Sequence, residues 1–259
     1  LPYESVEAVK NDLTIGLSDI YVLNALNDIA CKYNKKVKVH LEVDTGMGRV
    51  GIKPEDAISF CEKAKKLKNI ELEGIYTHFA VADTDEDYTN EQIKIFNNVI
   101  NNLENKNFKF KYIHSSASSG ILNFKEAKFN MVRPGIIMYG YMPNDEMKNK
   151  LDFKPVTKLV SHIVFVKEIE KGISISYGRT YIAKNKRKIA TIPLGYADGI
   201  RRALSNNGRV YINGKYAKIV GNICMDNFMV DITDIDAEVG DEVYIWDNEN
   251  ISIEEIAKL

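Results

Sequence analysis

The stretch Asp44-Thr45-Gly46-Met47-Gly48-Arg49-Val50-Gly51 gathers a carboxylate, glycines and an arginine directly after the apolar alternation Val37, Val39, Leu41, Val43. Alternation followed by a glycine-rich turn reads as a strand delivering a loop. Glycine lets backbone amides approach an anion, and Arg49 adds a planar donor fork with a permanent charge. The chemistry this suits is the holding of an anionic oxygen, although a tight turn with a solvated arginine has the same pattern. Further polar residues recur downstream: Thr77-His78, the run His114 to Ser119, and Arg133-Pro134-Gly135. Taken singly, each has a plainer meaning: histidines satisfied at strand ends, a polar serine loop, a surface arginine before a proline turn. Four histidines with no tight His-x-x-x-His or Cys-x-x-Cys spacing predict no metal site.

The elements that must position these residues follow two rhythms. From residue 3 to about 140, strands read at Leu13 to Leu17, Val37 to Val43, Ile70 to Phe79, Phe108 to Ser115 and Met131 to Tyr139 alternate with helices at Ser18 to Tyr33, Pro54 to Leu67 and Asn90 to Glu104. Ser18 and Asp19 can cap the first helix, and Pro54 suits an early helical position. Regular β-then-α units imply a parallel sheet. From about 155 the pattern becomes strands separated by turns: Lys158 to Lys167, Lys188 to Pro193, Arg209 to Ile212, Tyr216 to Val220, Phe228 to Asp231 and Glu242 to Trp246. Asn207-Gly208, Asn213-Gly214 and Val239-Gly240 supply turn punctuation. That second part is all-β, a small barrel or sandwich.

In an α/β barrel the loops at the C-terminal ends of the strands make the active site, and the polar residues above fall at those ends. Five strands cannot close an eight-stranded barrel, so about three βα units are missing at the front. The predicted fold class is α/β: a partial (β/α)8 barrel over residues 1–150, lacking its first units, followed by a C-terminal β domain over residues 151–259. The chain starts at Leu1 and stops at Leu259 within a helical stretch from Ile253, so both ends read as cut.

Composition excludes several classes. A chain of 259 residues, 45% hydrophobic and 27% charged, is ordinary for a soluble globular protein with one large or two smaller cores. A net charge of -1 argues against a nucleic-acid partner. Three scattered cysteines, Cys31, Cys61 and Cys224, suit a reducing compartment, and the predicted location is cytoplasmic. No apolar run reaches membrane-spanning length, and no secretory signal opens the chain.

Six motifs together resemble the alanine racemase family of fold-type III pyridoxal phosphate enzymes: Asp44 to Arg49, Tyr76-Thr77-His78-Phe79-Ala80, Asn130 to Gly135, Ser176-Tyr177-Gly178, Gly195-Tyr196-Ala197-Asp198-Gly199 and Cys224-Met225-Asp226. Their order and rough spacing match over nearly the whole chain. The resemblance implies a pyridoxal 5'-phosphate barrel with a C-terminal β domain, working as a head-to-tail homodimer with shared active sites. It implies interconversion of L- and D-alanine by two bases, supplying D-alanine for peptidoglycan. Removing a proton from Cα needs an electron sink such as this cofactor, and inversion needs a donor on the opposite face.

By the same resemblance Tyr177 is one base, contributed across the dimer interface, and Arg133 is the partner of the pyridine nitrogen. A guanidinium keeps its proton, so the ring nitrogen would stay unprotonated and the sink shallow. Ser118 with the backbone of Gly135 and Ile136 resembles the phosphate cradle. Arg49 resembles the ligand of the cofactor's phenolic oxygen and of the substrate carboxylate, and the Met225 amide the group that meets that carboxylate from the partner subunit. His78 and His114 would support the tyrosine and Arg133 respectively, with Tyr196, Cys224 and Asp226 around the second-domain motifs.

This sequence departs from the family pattern at three places. Ala117 replaces a frequent asparagine before the cradle serine. Glu42 stands where a lysine is often carbamylated, and is expected to supply the negative charge that aligns Arg49. The run around the cofactor-binding lysine of the family, Lys-Ala-Asn-Ala-Tyr-Gly-His, has no counterpart, so the chain as given is expected to be inactive unless that piece is supplied. Related readings are a racemase for serine or of broad specificity, a decarboxylase on the same plan, and a pyridoxal phosphate carrier protein. Carriers of that kind lack the β domain.

Overall fold

The β-then-α rhythm builds a parallel sheet in the computed structural model of the chain, which describes residues 2–144, 151 and 153–259. The chain divides into two compact units, Leu1–Lys154 and Pro155–Leu259. The expected boundary at 150/151 adjoins residues 145–150, which lie outside the described residues.

In the first unit, α1 (Ser5–Lys10), β1 (Ile15–Leu17), α2 (Ile20–Lys32), β2 (Val37–Glu42), α3 (Ala57–Lys65), β3 (Ile70–Tyr76), α4 (Glu86–Glu104), β4 (Tyr112–His114) and α5 (Ser118–Asn123) follow one another. The strands lie in the order β1-β2-β3-β4, all pairs parallel. Asp19 caps α2, its carboxylate accepting from the Tyr21 and Val22 amides at 2.7 and 3.0 Å. Asp85 does the same for α4 through the Tyr88 amide at 2.9 Å. That cap, with Glu86 and Asp87 in the first turn, starts α4 four residues before the expected Asn90.

The two faces of β2 differ in kind. Val37, Val39 and Leu41 point with Val43 into a core completed by Leu23, Leu26, Phe60, Ile75, Phe96 and Leu103. Each such side chain, fully buried, contributes roughly 1.5–3 kcal/mol. Lys38, His40 and Glu42 point the other way and line a cavity.

The fifth expected strand, Met131 to Tyr139, is absent. Pro134 has no amide to give a ladder, the Arg133 amide donates instead to Ser116 O at 2.9 Å, and Ile136–Tyr139 is a 3-10 turn closed by Gly140 at φ 84°. Apolar residues there lie outward: Ile136, Met138 and Tyr139 are exposed.

The second unit comprises β5 (Leu159–His162), β6 (Phe165–Ile169), β7 (Ser174–Ile175), β8 (Tyr181–Ile182), β9 (Arg187–Ile192), β10 (Arg209–Ile212), β11 (Lys215–Ile219), β12 (Phe228–Asp231), β13 (Glu242–Trp246) and α6 (Ile253–Lys258). An antiparallel sheet runs β5-β13-β10-β11-β12-β9-β6 around a core that includes Ile192, Val210, Phe228, Val230 and Val243. The run expected as one strand from Lys158 to Lys167 bends at Ile163-Val164. Its first half pairs with β13 and its second with β9, so one segment bears both ends of the sheet. Asn213 and Gly214, both at positive φ, make the two-residue turn between β10 and β11. The β7–β8 pair has two residues a side, too few to show as alternation in the sequence.

Candidate functional site

A cavity of about 890 Å³ opens on the polar face of the parallel sheet, with Arg49, Tyr76, His78, His114 and Arg133 at the strand ends and Lys38, His40, Glu73 and Lys111 deeper along the strands. Arg133 is its most connected side chain. One terminal nitrogen donates to His114 Nδ1. The other reaches Thr77 O at 2.9 Å, Ser115 O at 3.1 Å and His78 Nδ1 at 3.2 Å. Arginine only donates, so His114 Nδ1 must be an acceptor and its hydrogen must sit on Nε2. Nε2 in turn lies 2.8 Å from His40 Nδ1. Burial, then Arg133 and His40, bring His114 down to about 3, so it is neutral near pH 7. Burial lowers His78 as well, assisted by Arg133 and Arg49. The Arg133 Nε–H has no hydrogen-bond partner among the described residues, although the two terminal nitrogens share four acceptors.

Beside it, Tyr76 stacks on His114 with centroids 4.8 Å apart and planes at 9°, and Arg133 lies over the Tyr76 ring at 5.3 Å. The Tyr76 hydroxyl donates to Glu42 Oε2 at 2.8 Å. Burial and that carboxylate raise the tyrosine above its ordinary value. Glu42 is thus buried and turned inward, yet its bond is to Tyr76. Among the described residues no ion pair joins it to Arg49, whose guanidinium lines the cavity without a hydrogen-bond partner there. The glycine-rich loop spends its amides on its own aspartate. Gly46 N–H reaches Asp44 Oδ1 at 2.9 Å, and Gly48 N–H reaches the two carboxylate oxygens at 3.0 and 3.1 Å. These bonds outweigh burial and lower Asp44. Any external anion at this strand end is left to Arg49.

His78 also borders a smaller cavity of about 270 Å³ lined by Ser118, Gly135 and Ile136. The Gly135 amide donates to Ser118 Oγ at 3.0 Å. Ile136 opens a 3-10 turn, where amides lack a partner within the helix. A hydroxyl and early-turn amides on one wall make an anion-binding donor set.

The second unit brings its three motifs together on its own surface. The Tyr196 amide donates to Cys224 O at 3.1 Å and the Ala197 amide to Met225 O at 2.8 Å. Gly195 permits this approach, since a Cβ there would lie 2.3 Å from the Met225 carbonyl carbon. Ser176 holds a φ of 64°, uncommon outside glycine, and its hydroxyl donates to Asn222 O. Asn222 Nδ2 donates to Tyr177 O at 2.8 Å, fixing the backbone that presents Tyr177. Tyr177 is 73% exposed, Met225 57% and Tyr196 47%. Cys224 is half-buried with its thiol 3.4 Å from Ser176 Oγ, and Asp226 accepts from its neighbour Asn227 at 3.0 Å.

Nothing in the sequence alone marks His40, Glu73 or Asn222 as part of a site. The signal for His40 lay in the alternation of β2, whose polar side reads equally as a solvent face. Asn222 lay two residues before a motif, with nothing in its type to mark it.

Comparison with known proteins gives a consistent result. Residues 1–143 match the family model described as alanine racemase, N-terminal domain, and residues 156–259 that of alanine racemase, C-terminal domain. The alanine racemase of Halothermothrix orenii is 45% identical over 249 residues, 95% of this chain and 65% of the relative. Among solved structures, alanine racemase of Clostridium difficile 630 superposes with a TM-score of 0.91 at 37% identity, covering 100% of this chain and 68% of that one. Alanine racemase of Bacillus anthracis with bound L-Ala-P gives 0.88 at 31% identity, covering 99% and 68%. The chain spans about two thirds of the length of the relatives it matches.

Proposed function

This chain belongs to the alanine racemase family, and we propose that it provides the pyridoxal 5'-phosphate site and one catalytic base of an enzyme that interconverts L- and D-alanine. The observation that carries this reading is the Arg133 guanidinium, tied at both terminal nitrogens while its Nε–H has no partner among the described residues. A donor-only group placed so suits an unprotonated ring nitrogen. The smaller cavity, with Ser118 Oγ held by the Gly135 amide and the Ile136 amide beside it, suits a phosphate, and Arg49 suits a phenolic oxygen and a carboxylate. The residues present therefore fit the cofactor.

When bound, pyridoxal phosphate supplies the electron sink that makes a substrate Cα–H exchangeable. The chain's own residues do the rest. Arg133, unable to surrender its proton, limits how much charge that sink takes up, which favours return of the proton to Cα over diversion elsewhere. Arg49 holds the substrate carboxylate and so orients the Cα–H bond. Tyr177, exposed on the second unit, acts as the base for one face of Cα in the active site of the partner in a head-to-tail homodimer, and the Met225 amide meets the substrate carboxylate there. The opposite face needs a second base, for which no residue of this chain is assigned. A cytoplasmic location and a role in supplying D-alanine for peptidoglycan belong to this reading. No helix among the described residues is long and apolar enough to cross a membrane.

The test is to supply the segment that carries the family's cofactor lysine, incubate with pyridoxal phosphate and L-alanine in deuterium oxide, and follow optical rotation and Cα deuterium. Loss of rotation with deuterium at Cα supports the reading. Release of carbon dioxide would replace it with the decarboxylase, and cofactor binding without exchange with the carrier.

A further inference from the structure

Glu73 is a buried carboxylate that the racemase reading leaves without a task. Its Oε1 is held by Lys38 Nζ at 3.2 Å and Lys111 Nζ at 3.3 Å, and its Oε2 faces His40 Nε2 at 3.6 Å. The two lysines outweigh burial and keep the carboxyl below its usual range. His40 Nε2 is itself buried and makes no hydrogen bond within 3.5 Å among the described residues, so its contact with Glu73 is an electrostatic approach along which its hydrogen is directed. From there His40 Nδ1 meets His114 Nε2, and His114 Nδ1 meets Arg133.

The ends of this series leave the middle no choice. Arg133 can only donate and an ionised Glu73 can only accept. Between them, one arrangement avoids two hydrogens meeting or two lone pairs meeting: each histidine neutral, accepting on Nδ1 and carrying its hydrogen on Nε2. If His40 carried its hydrogen on Nδ1, His114 Nε2 would have to accept, and a hydrogen on His114 Nδ1 would then confront Arg133.

The backbone is shaped to bring Glu73 into this series. Val39 pairs with Leu72 and His40 with Gly74, so Glu73 is an extra residue in β3. Bulges are rare between parallel strands and re-aim a side chain where they occur. Without it, Glu73 would share the face of Ile75, which is fully buried in the apolar core. Gly74 completes the fit, since a Cβ there would lie 2.7 Å from the His40 ring.

We infer that Glu73 is a positioning residue for Arg133, acting through His40 and His114 along a one-directional series Arg133→His114→His40→Glu73 that runs the depth of the cavity. By fixing both imidazoles as Nε2–H forms, it keeps His114 Nδ1 available to pin Arg133 and leaves the Arg133 Nε–H as the group that faces a ligand. Its significance for catalysis rests on the racemase reading; the series itself does not.

The experiment is nitrogen-15 NMR of the protein labelled at histidine, with the imidazoles assigned by single substitutions. In the wild type, both His40 and His114 should show an unprotonated Nδ1 and a protonated Nε2. In Glu73→Gln, the resonances of His114, which does not touch residue 73, should shift toward a mixture of the two neutral forms. A His114 that stays wholly in the Nε2–H form in folded Glu73→Gln overturns the inference. So does a hydrogen on Nδ1 of either histidine in the wild type, a result that needs no variant. The readout requires no turnover, so failure of the racemase reading leaves it unchanged.

Discussion

His114 accepts a hydrogen bond from Arg133 through Nδ1 while its ring lies flat against Tyr76. A neutral histidine is therefore part of how the arginine is held, and protonating it would oppose two cations inside a buried site. The stability of the fold should carry that cost.

Acid should destabilise the first unit through its histidines. His114 lies at about 3 when folded against 6.5 for the ordinary group, so between those values the unfolded chain binds the extra proton. Stability is complete above ~6.5 and falls as pH drops toward the folded value, by about 2 kcal/mol from His114 alone at pH 5. His40 and His78, also lowered, act in the same direction. Urea unfolding at pH 7 and pH 5 measures it, and His114→Gln should show a shallower dependence from a lower starting stability.

Arg133→Lys should lose the arrangement as well as the fork. An ammonium cannot reach Thr77 O, Ser115 O and His114 Nδ1 while also presenting a donor where Nε now lies. With the cofactor-lysine segment supplied, the proposed racemisation should fall by about 10²-fold or more, with an altered absorption band for bound cofactor, measured by steady-state kinetics and spectroscopy.

Ser118→Ala should weaken cofactor binding and spare the fold. The Gly135 amide would lose its acceptor at 3.0 Å and the phosphate a donor. A charge-assisted bond of about 1.5–3 kcal/mol corresponds to roughly ten- to a hundred-fold in Kd, read by titrating pyridoxal phosphate against the protein.

Tyr177→Phe should separate chemistry from stability. The side chain is 73% exposed, so unfolding free energy should change by no more than about 0.5 kcal/mol. Proton exchange at Cα should fall by roughly 10²- to 10⁴-fold for one enantiomer, with a smaller effect on the other, measured by deuterium incorporation from each.

Much of this architecture is legible in the residues because it obeys local rules. Val37 to Val43 alternates as a half-buried strand must, Asp19 caps the helix that follows it, and Asn213-Gly214 turns between strands. What escapes is set by tertiary context. Met131 to Tyr139 has strand-like side chains, but Pro134 cannot join a ladder and the Arg133 amide is drawn to Ser116. Lys38, His40 and Glu42 look like a solvent face because alternation shows two sides without saying what each meets. Glu73 is hidden further by its bulge, which shifts the phase of the strand so that period-two counting assigns it to the wrong side. The Glu42 hydroxyl partner, Tyr76, sits one strand away and no spacing in the sequence announces the pair.

The bent run from Leu159 to Ile169 has a kinetic consequence for the second unit. Its first half waits for β13, where Ser161 must find Val243, while its second half needs only the much nearer β9, where Phe165 finds Thr191. Joining segments so far apart costs loop entropy before any contact repays it, which places such sheets among the slower folders, in milliseconds to seconds. The last seam to zip should be the one between Ser161 and Val243, and a stalled molecule would wait there with a half-fastened sheet.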